Sequence, residues 1–171
     1  RMYRNDAFAA RTALEIEKEL QPDLMLVYLP GIDRISHILW YSVEPVESIP
    51  EKNRVSEMER NVHREALRLY YRYVDAIIGR LLEGRSPDDL VIVLSDHGFE
   101  LDLSESLPRG THVSNAARDG ILYMRGRDVP RGRSDLRMKM TQFAPTILTW
   151  MGMPTATDMD GRPAEFVDSV P

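Results

Sequence analysis

Asp33, His37, Asp96, His97 and His112 are the residues of this chain most suited to chemistry. They come from three short segments: PGIDRISHILW (30–40), VIVLSDHGFE (91–100) and RGTHVSN (109–115). The set mixes imidazole with carboxylate and holds no thiolate. That donor chemistry suits a divalent transition metal, Zn²⁺ first, and fits an open hydrolytic site better than a closed structural one. Three of the four histidines in the chain belong to it. No convincing nucleophile stands beside them.

The elements that must position these residues alternate between helix and strand. Residues 6–20 (DAFAARTALEIEKEL) have few breakers and predict an amphipathic helix, ended by Pro22. DLMLVYL (23–29) predicts a buried strand stopped by Pro30-Gly31. Two prolines make 41–50 a loop. A long helix follows, because Val55, Met58, Val62, Ala66, Leu69, Tyr73, Ile77 and Leu81 recur at three- and four-residue spacing as one buried face. Gly84 ends it. Pro87-Asp88 turns the chain into LVIVL (90–94), the clearest buried strand. Residues 100–119 are polar and predict a loop. ILYM (121–124) is a third strand, 126–134 a Gly/Arg/Pro loop, and 140–152 a helix with Pro145 near its start and Gly152 at its close. The tail from 153 is irregular.

Strands separated by helices predict an α/β domain with a layered, mainly parallel sheet flanked by helices, built as one domain over residues 1–171. Ligands in such folds gather beyond the carboxyl ends of the strands. Asp33 and His37 follow the first strand, and their spacing of four puts both on one face of a helical turn. Asp96 and His97 follow the second. Being adjacent they diverge in the turn that Gly98 opens, and could serve two ions. His112 precedes the third strand, so it reaches the site only if the strand at 120–125 is antiparallel to the others.

Composition narrows the partners. With 22 basic and 27 acidic residues the net charge is −5, and there is no basic run with interleaved aromatics, so no nucleic-acid-binding motif is present. The apolar stretches are too short for a membrane segment. No signal or transmembrane segment is visible, which suits a soluble chain of unassigned compartment. Cysteine is absent, which excludes disulfides and thiol catalysis.

Each segment alone has a plainer reading. Asp-His-Gly is a good turn sequence, and Asp33 and His37 could be a helix N-terminal acid and a surface histidine. The joint occurrence beside predicted strands favours a site. His63, on the long helix with no acidic partner arranged around it, reads as structural. Asp158 and Asp160 read as turn residues, and the arginines of 125–133 as solvated surface. Trp40 and Tyr41 could line a pocket beside His37, or simply pack.

The order Asp33-x-x-x-His37, Ser95-Asp96-His97-Gly98 and Thr111-His112 resembles the alkaline phosphatase superfamily, most closely its type I phosphodiesterase/nucleotide pyrophosphatase branch. APTILTWMGMP (144–154) with Asp160-Gly161-Arg162 is similar to the end of such domains. The likeness runs from about residue 23 to about 163 and covers the C-terminal half of the family's catalytic domain. It implies two divalent ions, Zn²⁺ or Mn²⁺. One would be held by Asp33, His37 and His112, the other by Asp96 and His97 with an earlier Asp and a Ser/Thr nucleophile. The last two belong to the family's N-terminal half, so this chain is expected to supply most metal ligands but not the nucleophile.

The implied function is metal-dependent hydrolysis of a small-molecule phosphodiester or phosphomonoester by a longer parent enzyme, with the isolated chain inactive. A phosphoglycerate mutase-like phosphotransferase, which shares similar ligands, and a non-catalytic metal-binding scaffold are the alternatives.

Overall fold

The computed structural model describes residues 2–104, 106–127, 129–132 and 137–165. Parts of the predicted loop at 126–134 and of the tail beyond 153 therefore lie outside the described residues. The chain divides into two compact units, residues 1–84 with 97–119, and residues 85–96 with 120–171.

The first unit is built on three helices. α1 (Met2–Leu20) matches the predicted helix and begins earlier. Asp6, Ala10 and Ala13 are its buried residues, three and four apart. The two alanines are short enough for neighbouring backbone to approach closely. Gln21, with φ of 45°, ends it.

α2 (Gly31–Leu39) carries Asp33 in its first turn and His37 in its last, and buries Gly31, Ser36 and Leu39. A 3-10 turn at Trp40–Ser42 continues it.

α3 (Glu57–Leu82) starts where the Ser56 hydroxyl accepts from the Glu59 N–H at 3.2 Å. Gly84 follows its end with φ of 75°, a left-handed conformation that glycine adopts without a Cβ penalty.

The buried face of α3 agrees with the predicted one only in part. Ile77 is buried as expected and Ala66, Tyr73 and Leu81 are half-buried, but Met58, Val62 and Leu69 are exposed, and Leu67, Tyr70 and Val74 are buried in their place. The helical period finds an apolar face, but the packing of α1 and α2 decides which residues are covered.

The predicted strand at 23–29 is not formed: these residues carry no regular secondary structure. Leu24, Leu26 and Tyr28 are exposed while Met25, Val27 and Leu29 are half-buried, so the period of two survives. A strand exists only through ladder bonds to a neighbour, and none pairs with this run among the described residues. The mainly parallel sheet expected from the sequence is accordingly not seen among the described residues. Both ladders seen are small and antiparallel.

One ladder was not anticipated. Residues 100–119, expected to be loop, hold a short hairpin of β2 (Glu100–Asp102) and β3 (Arg109–Thr111), with Leu101 opposite Gly110. Three-residue strands are too short to leave a periodic trace.

In the second unit β1 (Val91–Leu94) pairs antiparallel with β4 (Leu122–Arg125), Val91 opposite Arg125 and Leu94 opposite Leu122. This gives the antiparallel strand expected at 120–125. The Ile121 N–H donates to the Ser95 hydroxyl at 3.0 Å and its carbonyl accepts from the Ser95 N–H at 3.1 Å. α4 (Phe143–Trp150) tolerates Pro145 in its first turn, where no intrahelical N–H bond is due. Fully buried Thr146 donates from its hydroxyl to the Gln142 carbonyl and accepts from the Ala164 N–H. The chain is thus a mixed α/β protein.

Candidate metal centre

The first unit brings Asp33, His37 and His112 together. One ligand atom from each lies within 4.8 Å of the other two. α2 presents Asp33 and His37 from successive turns. His112 follows β3 directly, so the hairpin carries it to α2. Its position does not depend on β4, the strand invoked from sequence.

Asp33 Oδ1 is the focus of the group. His37, His97 and His112 place their Nε2 atoms 3.6, 3.7 and 3.8 Å from it. These separations are too long for hydrogen bonds. They approach the roughly 3.3–3.6 Å between two ligands sharing a tetrahedral ion at about 2.0–2.2 Å. Asp33 Oδ1 is buried and has no hydrogen-bond partner. A buried carboxylate oxygen without a partner is costly. With this oxygen, the imidazole nitrogens of His37 and His112 make a donor set that a divalent cation would complete.

The tautomers of two histidines follow from their partners. His37 Nδ1 lies 3.0 Å from the Gly110 carbonyl, and His97 Nδ1 lies 2.9 Å from the Gly98 carbonyl. A carbonyl can only accept, so each Nδ1 carries the proton. A proton on Nδ1 leaves Nε2 as the nitrogen suited to bind a metal.

Phe99 was not singled out from sequence, yet its ring meets all three imidazoles. The centroids lie 5.1 Å from His37, 5.6 Å from His97 and 5.5 Å from His112, each edge-on. Trp40 backs it at 5.4 Å and donates from its indole nitrogen to Glu44 at 2.7 Å. Trp40 therefore belongs to the packing that supports the site. The signal for Phe99 was its place directly after Asp96-His97-Gly98.

Gly110 was also missed. A Cβ there would stand 2.4 Å from the Ser36 carbonyl oxygen, 2.6 Å from Trp40 Cβ and 3.0 Å from the Phe99 ring. Only glycine lets β3 lie this close to α2, and that approach hands its carbonyl to His37. On the far side of His112, Ser114 donates from its N–H and its hydroxyl to the Glu100 carboxylate at 2.9 and 2.5 Å. These bonds tie the chain after His112 back to β2.

His63 hydrogen-bonds the buried Tyr41 hydroxyl through Nδ1, which fits the structural role read from sequence. Burial pushes the Tyr41 phenol above its ordinary range. Tyr41 thus packs away from solvent. Asp96 belongs to the second unit, two residues beyond the end of β1.

The match to the type I phosphodiesterase / nucleotide pyrophosphatase family runs over residues 3–139. The chain belongs to that family. Its ordered Asp-His motifs therefore sit within a family of phosphoester-cleaving enzymes. No curated protein and no solved structure matches the chain. Among the described residues no helix is long and apolar enough to cross a membrane.

Proposed function

We propose that this chain supplies most of the metal ligands of a phosphoester hydrolase of the alkaline phosphatase superfamily, acting on a small-molecule phosphodiester or phosphomonoester. The observation that carries the reading is the buried Asp33 Oδ1 faced by three imidazole Nε2 atoms. The family match supports hydrolysis over phosphoryl transfer within a sugar acid.

In this reading Asp33, His37 and His112 hold one divalent ion, Zn²⁺ or Mn²⁺, and Asp96 and His97 serve a second. Bound ions would offset charge on the phosphoryl oxygens and ease deprotonation of a coordinated hydroxyl or water. The protein's part is to hold the donors ready. The Gly110 and Gly98 carbonyls keep the protons on Nδ1 of His37 and His97. Phe99 supplies an apolar wall against which the imidazoles keep their orientation.

The nucleophile in this reading is a Ser or Thr hydroxyl outside the 171 residues, set in the family's layered α/β fold. Ser95, the hydroxyl nearest Asp96 in sequence, is engaged by the Ile121 N–H and extends the β1–β4 ladder.

The test has two parts. Isothermal titration with Zn²⁺ and Mn²⁺ should show binding by this chain that His112→Ala removes. The full-length polypeptide containing the chain should cleave an aryl phosphodiester or monoester in a chelator-sensitive way, and the isolated chain should not. Absence of metal binding, or chelator-resistant turnover, would overturn the reading.

A further inference from the structure

Asp6 lies on α1, distant in sequence from every candidate ligand, yet it sits at the base of the helix that carries two of them. It is fully buried. Its Oδ2 accepts from the Tyr70 hydroxyl of α3 at 2.9 Å. α2 begins directly on this pair: a Cβ on Gly31 would fall 1.9 Å from the Tyr70 hydroxyl and 2.3 Å from Asp6 Oδ2.

The start of α2 lacks a local cap. Its N-cap residue is Pro30, which has no side-chain oxygen and makes no side-chain cap bond. The first N–H groups of a helix need an acceptor, and the Gly31 N–H faces the Asp6 carboxylate. A carboxylate at a helix N-terminus also meets the favourable end of the macrodipole. Asp6 thus sets a carboxylate from another helix directly against the start of α2. Two residues further on stands Asp33.

This arrangement is not explained by stability. A fully buried carboxylate costs more than an apolar side chain of similar size unless every oxygen is satisfied. Asp6 Oδ1 has no full hydrogen bond. A leucine would fill the space without that cost, but it could not accept from the Tyr70 hydroxyl.

We infer that Asp6 is a positioning residue for the metal centre: with Tyr70 it clamps the first turn of α2 and so fixes where Asp33 and His37 point. The inference rests on the metal reading above for its affinity readout, but its structural readout stands without a metal.

The test compares Asp6→Leu, Asp6→Asn and Tyr70→Phe in the intact chain. Zn²⁺ titration gives the affinity, and ¹⁵N-edited spectra of the metal-free protein report the His37 ring. Asp6→Leu should weaken Zn²⁺ binding about tenfold, the scale of lost supporting bonds around a metal site. It should also shift the His37 ring resonances. Asp6→Asn, which keeps a carbonyl acceptor for the Tyr70 hydroxyl, should retain most of the affinity. A residue that merely filled space would show no such order, with Leu tolerated as well as Asn.

Tyr70→Phe, which removes one hydroxyl and leaves the ring, should weaken binding in the same direction and serves if Asp6→Leu fails to fold. Unchanged His37 resonances in Asp6→Leu, or in Tyr70→Phe should the first not fold, overturn the inference. If no variant and no parent chain binds Zn²⁺, the metal reading falls, and the His37 resonances still decide whether Asp6 positions α2.

Discussion

His97 lies flat against His112, with ring centroids 3.7 Å apart and planes 14° from parallel. Both Nε2 atoms point at the same oxygen of Asp33. The pair joins the Asp-His-Gly turn to the hairpin, so neither ring is placed by its own segment alone.

Removal of one ring should therefore be felt at once. His112→Ala is expected to abolish binding of Zn²⁺ by the Asp33 group, as read by titration and elemental analysis. His63→Ala should leave binding intact. It removes the hydrogen bond to Tyr41 and should cost about 1 kcal/mol of stability in urea unfolding.

Gly110→Ala tests the contact between β3 and α2. The added methyl meets backbone and Cβ atoms, neither of which can rotate away. The variant should lose about 1–3 kcal/mol of stability. It should also bind Zn²⁺ more weakly, because relief of the clash moves the carbonyl that holds His37. Wild-type affinity in this variant would contradict the role given to that carbonyl.

Phe99→Ala removes the wall shared by three imidazoles. Zn²⁺ affinity should fall about tenfold, as it does when groups that orient metal ligands are lost. Phe99→Leu, which keeps apolar bulk but not the ring edge, should fall between wild type and Ala. Equal affinities across the three proteins would show that the ring contacts do not orient the ligands.

Asp6 gives the chain a pH dependence of known sign. Burial pushes its carboxyl above the usual range of 3.8, opposed by the Tyr70 hydroxyl, the Gly31 N–H and Arg34. The folded state then holds the proton more tightly than the unfolded state. Its contribution is most favourable below the unfolded value and is lost as pH rises through the folded one. Urea unfolding over the acidic range should therefore show Asp6→Asn gaining stability relative to wild type as pH increases. A constant difference between the two would contradict the burial of a titrating carboxyl.

Much of the site was legible because its chemistry is carried by residue type and short spacing. Asp33 and His37 are four apart, and a helical turn puts such residues on one face whatever surrounds them. Asp96-His97-Gly98 marks a turn for local reasons. The long helix and the strands at 91–94 and 122–125 were also visible, because each depends on a run of side chains with its own pattern.

What the sequence could not contain was decided by partners far along the chain. The apolar run at 23–29 has the composition of a strand but no ladder, since hydrogen bonds to a neighbour make a strand and composition does not. The covered stripe of α3 was chosen by what packs on it. His112 arrives through a hairpin of three-residue strands, held to α2 because Gly110 has no side chain. Asp6 looked like an ordinary acid on the first helix. Sequence by itself determined the donors and their local spacing, through side-chain chemistry and helical geometry. Only the tertiary structure decided which backbone carbonyls, which ring and which buried carboxylate hold them in place, because those contacts join residues tens of positions apart.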